Sequence, residues 1–354
     1  MTLLEETINS IKGQDESWRQ KAKDRLDQLT MPHWALGRLM DLAVDLAGMT
    51  RSLQPPVERK AVIVMAGDHG VVSEGVSKFP QEVTPQMVGN FVNGGAGINA
   101  LARQVGARVV VVDMGVACDI SAMVKSGKVI DKKIAVGTAN MAVGPAMSRE
   151  QAINAIEAGI EVARDMADEI DLFGTGDMGI GNTTPSTAIV SAITSTPVAE
   201  VTGRGTGLDD DQLNHKIGVI EKALQVNKPD PQDGLDVLAK VGGFEIGGIA
   251  GMILGAAALR KPILVDGFIS TAGALIAHSL APSCRDYIIA SHRSVEQGHR
   301  VMHSHLGCEP LLDLNLRLGE GTGGALAMNI VEAAQRVLCD VATFEEAMVS
   351  GADN

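Results

Sequence analysis

Glu320 stands between Gly319 and Gly321 in the run Leu316-Arg317-Leu318-Gly319-Glu320-Gly321-Thr322-Gly323. A carboxylate in apolar company has little to do for a core, and bare glycine neighbours let a flat ligand come up against it. Apolar surroundings also raise a carboxyl pKa toward the range useful to a general base. The competing reading is an acid that the dipole favours in the first turn of a helix starting near Gly323. A second feature is the stretch Phe173-Gly174-Thr175-Gly176-Asp177-Met178-Gly179-Ile180-Gly181-Asn182-Thr183-Thr184-Pro185. Residues 169–173 before it read as a buried strand. Residues 186–193 after it read as a helix, with Thr184 as N-cap and Pro185 at the first helical position. Strand, glycine loop and helix start together offer backbone N–H groups and a positive dipole end to an anion. The pattern fits neither the Walker motif nor the dinucleotide fingerprint. A tight turn without a ligand is its plainer reading.

Three further clusters are chemically suggestive. Asp68 and His69 follow an apolar run and read equally as an acid/base pair or as a turn with a local hydrogen bond. Asp209-Asp210-Asp211 suggests a divalent cation, but acids at the N-terminus of the helix that follows are the better account. His299 and His303 are four apart on a helix, a spacing that can bind metal. With no HExxH signature and no third ligand, they read as surface histidines. The four cysteines show no CxxC spacing, so neither a zinc site nor a disulfide framework is expected.

Composition sets the frame for these groups. The chain has 354 residues, 45% hydrophobic, with 40 glycines and 3% aromatics, as expected of a tightly wound α/β protein. A net charge of −13 argues against nucleic acid or an anionic membrane as partner. An anionic ligand must then be held by local donors. No basic region precedes an apolar core at the N-terminus, and the apolar stretch 246–259 is too short to span a bilayer. A cytoplasmic protein is expected.

The elements that position these residues follow in order. Residues 3–29 carry helical periodicity with Trp18, Ala22, Leu26 and Leu29 on one face, and a second helix is expected over 34–46. These belong to a small helical domain of residues 1–55 and 330–354, beside a large α/β domain of residues 56–329. Residues 61–65 and 108–113 are apolar enough for buried parallel strands. Thr84-Pro85 marks a capped helix start, and Ser148 opens a capping box for a helix to about Asp168. Residues 262–265 and 287–292 are shorter strands, the first leading into Asp266-Gly267 and the second ending in a polar tip. Strands alternating with helices predict a Rossmann-like, mostly parallel sheet with helices on both faces and polar strand ends along one edge.

In order along the chain, several motifs resemble the nicotinate-nucleotide–dimethylbenzimidazole phosphoribosyltransferase family. They are Gly67-Asp68-His69-Gly70-Val71, Pro80-Gln81-Glu82-Val83-Thr84, Gly179-Ile180-Gly181-Asn182-Thr183-Thr184, Gly203-Arg204-Gly205-Thr206-Gly207, Asp266-Gly267-Phe268 and Arg317-Leu318-Gly319-Glu320-Gly321. The resemblance implies transfer of the 5-phosphoribosyl group from nicotinate mononucleotide to a benzimidazole nitrogen, with Glu320 as general base. It implies that Gly179, Gly181, Asn182 and Thr183 hold the phosphate with Lys216 and Ser294. Asp177, Met178, Asp266, Gly319 and Gly321 would lie about the ribose and nicotinate, and Phe79, Gln86, Met87 and Leu318 about the base. It implies a homodimer and no metal or redox cofactor. Transfer to adenine or a phenolic acceptor, and a non-catalytic nucleotide- or azole-binding protein, are the alternatives. Two positions depart from the family pattern: Asp177 stands where Glu is usual, and Met31-Pro32-His33-Trp34-Ala35-Leu36-Gly37 replaces a Lys-Pro-x-Gly-Ser-Leu-Gly run.

Overall fold

The computed structural model describes residues 1–205, 207 and 209–350. Thr206 of the Gly203–Gly207 motif, Leu208 just after it, and residues 351–354 of the expected small domain lie outside them. Six strands form one wholly parallel sheet in the order β3-β2-β1-β4-β5-β6. They are β1 (Lys60–Gly67), β2 (Arg108–Gly115), β3 (Ile130–Asp131), β4 (Leu172–Met178), β5 (Ile263–Val265) and β6 (Ile288–Ala290). The strand order reverses between β1 and β4, so the crevice beyond their carboxyl ends is the ligand position this topology favours. Both strands are almost fully buried, which accounts for their continuous apolar runs.

The sheet is covered on both sides. On one face, helix Phe244–Ala258 lies across β1, β2 and β4 and packs along helix Arg149–Asp165. Gly159, Gly248, Gly251 and Gly255 form the seam between the two helices. A Cβ on Gly159 or Gly251 would collide with the backbone carbonyl of Gly248 or Ile156. On the other face, helix Thr322–Asp340 packs on β1, β4 and β5. It also packs against helices Glu16–Leu26 and Arg38–Thr50, and Leu29 bridges Thr343 near the end of the described chain.

Several boundaries differ from the sequence expectation. The first helical segment is two helices, Leu3–Ser10 and Glu16–Leu26, with Asp15 capping the second through the Ser17 N–H. Trp18 is only half-buried, whereas Ala22, Leu26 and Leu29 enter the core. The next helix is Arg38–Thr50 rather than 34–46, because Trp34 and Gly37 take left-handed φ values of 52° and 51° in the preceding turn. The capping box at Ser148 is present, and its helix ends at Asp165. Asp209 caps helix Asp210–Asn227 with its own capping box, and among the described residues no cluster of three or more ligating side chains is arranged for a metal.

Candidate active site

The glycine stretch is only partly a loop. β4 runs through Gly174, Gly176 and Asp177 to Met178, and the turn proper is residues 179–182. The strand glycines have a packing cause. A Cβ on Gly176 would lie 2.5 Å from the Glu320 carbonyl oxygen, and one on Gly174 3.0 Å from Met328 Cε. The chain carrying Glu320 thus runs directly over β4. The following helix is Thr183–Thr194 with Asn182 at its N-cap, so Thr184 is not the cap and Pro185 is the third helical residue. Pro is still tolerated there, since the first four N–H groups of a helix have no intrahelical partner. Gly181, at φ 85°, supplies the left-handed residue that swings the chain from strand to helix.

Around this turn the donors converge. The Lys216 ammonium, buried on helix Asp210–Asn227, donates to Thr183 Oγ1 at 2.7 Å. Burial pulls it down to about 8, against the nearby Glu296 carboxylate. Gly179, Ile180, Gly181, Asn182, Thr183, Arg204, Gly205 and Lys216 line one small cleft of about 60 Å³ with Val76 and Ser77. Ile180 N–H donates to Thr84 Oγ1 at 3.1 Å, so Thr84 braces the turn rather than capping helix Val83–Val92, which starts one residue earlier. Ser294 is buried on the segment that also bears Glu296, and its N–H donates to His299 Nδ1 at 3.0 Å.

Glu320 reaches the same place from the far end of the chain. Gly319, Glu320 and Gly321 have φ values of 79°, 62° and 94°, three left-handed residues in succession. For Glu320 that conformation is costly and must be held by its surroundings. Asp266 holds it: its Oδ2 accepts from Gly321 N–H at 3.1 Å and its Oδ1 from Gly324 N–H at 2.9 Å. Its own N–H donates to Thr175 Oγ1 at 3.1 Å, and His292 Nδ1 lies 3.6 Å from Oδ1. The Asp266 carboxylate is therefore engaged by the Glu320 turn. Glu320 Oε2 accepts from Ile98 N–H at 3.0 Å, and burial, with Asp266 adding to it, pushes its carboxyl above the ordinary glutamate range.

The two regions meet at Asp177. Its Oδ2 accepts from Asn182 Nδ2 at 3.1 Å, and a Cβ on Gly319 would lie 3.3 Å from the same oxygen. Glu320 and the turn near residue 180 thus flank one carboxyl group at the β1/β4 switch point. Burial, then Asp266 and Glu245, hold Asp177 well above the usual carboxylate range.

The residues expected about the base are more open. Leu318 Cδ2 stands against Gly97, 2.7 Å from where a Cβ would be, and Glu320 Oε2 is 3.2 Å from that same point. Leu318 is 60% and Phe79 49% exposed, Gln86 is exposed, and Met87 is half-buried on the core side of helix Val83–Val92. His299 and His303 are not surface histidines. Both are buried on helix Gln297–Leu306, their rings 4.1 Å apart, and His299 Nε2 is 2.9 Å from Thr271 Oγ1. Burial pushes both below the usual imidazole range, His303 to about 4. Asp68 and His69 are buried as well. Two acids escaped the sequence reading. Glu296 adjoins Gly203 and Lys216, and Glu245 pairs with His69. Glu245 had a signal, as the one charge in an otherwise apolar helix, 0% exposed.

Comparison with known proteins gives one answer. Residues 11–349 match a family model described as phosphoribosyltransferase. The chain is 66% identical to nicotinate-nucleotide–dimethylbenzimidazole phosphoribosyltransferase of Syntrophotalea carbinolica over 350 residues, 99% of each chain. It is 58% identical to the protein of the same name from Desulfotalea psychrophila over 351 residues, again 99% of each. A solved structure of that name from Thermus thermophilus superposes with a TM-score of 0.89 at 44% identity, covering 96% of this chain and all of the other.

Proposed function

We propose, for a chain that belongs to the nicotinate-nucleotide–dimethylbenzimidazole phosphoribosyltransferase family, how the site just described carries out that transfer. The enzyme moves the 5-phosphoribosyl group from nicotinate mononucleotide to 5,6-dimethylbenzimidazole. The phosphate sits on the turn of residues 179–183 with Lys216 and Ser294, where helix-start N–H groups and one ammonium offset the repulsion of a chain carrying −13. C1′ of the ribose faces Glu320. The carboxylate takes the N–H proton of the base while the other ring nitrogen attacks C1′ opposite the nicotinate. The glycosidic C–N bond breaks, its electron pair stays on the pyridinium nitrogen, and neutral pyridine leaves as nicotinate. The β-linkage becomes α in α-ribazole 5′-phosphate. Met87 and Leu318 border the base, with Phe79 and Gln86 at the rim.

One observation supports this reading above the rest. Glu320, raised by burial and held left-handed by Asp266, borders the same carboxyl group as the anion-ready turn. Single-turnover assays of the Glu320→Gln variant test it: nucleotide binding is retained while transfer is lost, and undiminished transfer removes Glu320 from the mechanism. The same reading takes the enzyme as a cytoplasmic homodimer, for which the exposed Phe79 and Leu318 offer apolar surface. Sedimentation at micromolar concentration tests the dimer. It also takes residues 1–55 and 330–354 as a small helical domain, consistent with Arg25 donating to the Leu338 and Val341 carbonyls.

A further inference from the structure

His69 has no task in that mechanism, yet it lies directly behind the site. It follows β1 and is 1% exposed, and Glu245, at the start of helix Phe244–Ala258, is 0% exposed. His69 Nε2 and Glu245 Oε1 are 2.9 Å apart. Three glycines close over the pair. A Cβ on Gly179 would stand 3.2 Å from His69 Nε2, one on Gly243 2.5 Å from His69 Cε1, and one on Gly67 3.0 Å from Glu245 Oε2. The imidazole therefore lies immediately beneath the first residue of the turn.

Its neighbours are acids. Glu245 pairs with it and Asp68 precedes it. Asp68 also accepts from Ala117 N–H at 2.8 Å. Burial opposes a charge on His69, but Glu245 and Asp68 outweigh it and hold the imidazole above its ordinary range. Without a cation here, the ground under an anion-binding turn would be negative. A buried charge is little screened, so its sign is felt by a ligand one residue layer away.

We propose that His69 is a positioning residue of the nucleotide site: clamped by Glu245 beneath Gly179, its imidazolium offsets the acids under the turn so that the turn can receive a phosphate. This rests on the phosphate placement proposed above. Calorimetry on the full chain, with nicotinate mononucleotide and with phosphate-free nicotinate riboside, separates the two ideas. His69→Gln should weaken mononucleotide binding roughly tenfold or more and leave riboside binding near wild type. Adding Glu245→Gln to that variant leaves an uncharged pair and should recover most of the loss. Equal losses for both ligands, an unchanged mononucleotide affinity in His69→Gln, or a double variant no better than the single one overturns the proposal. His69→Gln buries Glu245 without a counter-charge and can fail to fold, so Glu245→Gln alone is the second probe. It removes an acid and should bind mononucleotide at least as tightly as wild type, and weaker binding counts against the proposal. A wild-type chain that binds both ligands alike refutes the phosphate placement instead.

Discussion

Two carboxyl groups, Asp177 at the end of β4 and Glu320 in the left-handed turn, adjoin across Gly319 and are both buried. They differ in company. Asp177 sees Asp266, Glu245 and Glu320 with only the Asn182 amide to favour its charge, and it is held well above the carboxylate range. Glu320 has the Ile98 N–H on one oxygen to favour its charge, while burial and Asp266 raise it. Proximity of this kind pushes acids apart in their titration. Burial and the acids around it disfavour the charged form of Asp177, whereas the Ile98 N–H favours the charged form of Glu320. Burial acts on both; the neighbouring groups distinguish them.

The sharpest break in this contrast is Glu320→Gln, which should lower kcat by about 10²–10⁴-fold with the mononucleotide Kd nearly unchanged, measured by single-turnover release of nicotinate and by calorimetry. Lys216→Met comes next. Loss of a charged hydrogen-bonding group should raise KM for the mononucleotide roughly 10–100-fold with little change in kcat, read from initial rates. Asp266→Asn sets an amide N–H₂ against one of the two backbone N–H groups, that of Gly321 or Gly324, and loosens the Glu320 turn. It should cost about 1–3 kcal/mol of stability by urea denaturation and lower kcat more than it raises KM. The pH profile sharpens the comparison further. A base works only when ionised, so kcat/KM should fall as pH drops through the raised Glu320 value, with a midpoint above the ordinary 4.5 of a glutamate. The smallest effect belongs to Asp177→Asn, because burial and the surrounding acids already favour the uncharged form of this carboxyl. Activity within a few-fold of wild type across pH 6–8 is expected, and a loss as large as that of Glu320→Gln would mean that the Asp177 charge takes part in the reaction.

Much of this site was legible in the chain. Glu320 between glycines, the 179–183 turn and the Asp266-Gly267 strand end all carry local patterns, and the alternation of apolar runs predicts the parallel sheet. The misreadings share a cause, the approach of chain distant in sequence. Gly174 and Gly176 read as loop, yet they are strand, since the space above them is taken by Met328 and the Glu320 backbone. His299 and His303 sit in a polar run that reads as surface, but the helix carrying them is packed against helices Phe268–Leu280 and Thr183–Thr194. Thr84 looks like a cap and instead receives the Ile180 N–H from 96 residues away. No local window contains those partners.

The glycine seam between helices Arg149–Asp165 and Phe244–Ala258 reaches further than packing. Glu245 rides at the tip of the second helix, so the depth of that seam acts like the pivot of a lever whose other arm ends under Gly179. A single methyl at Gly251, wedged against the Ile156 carbonyl, would lift the shaft and carry its acidic tip out of register with His69, detuning the pocket from a position that never meets a substrate.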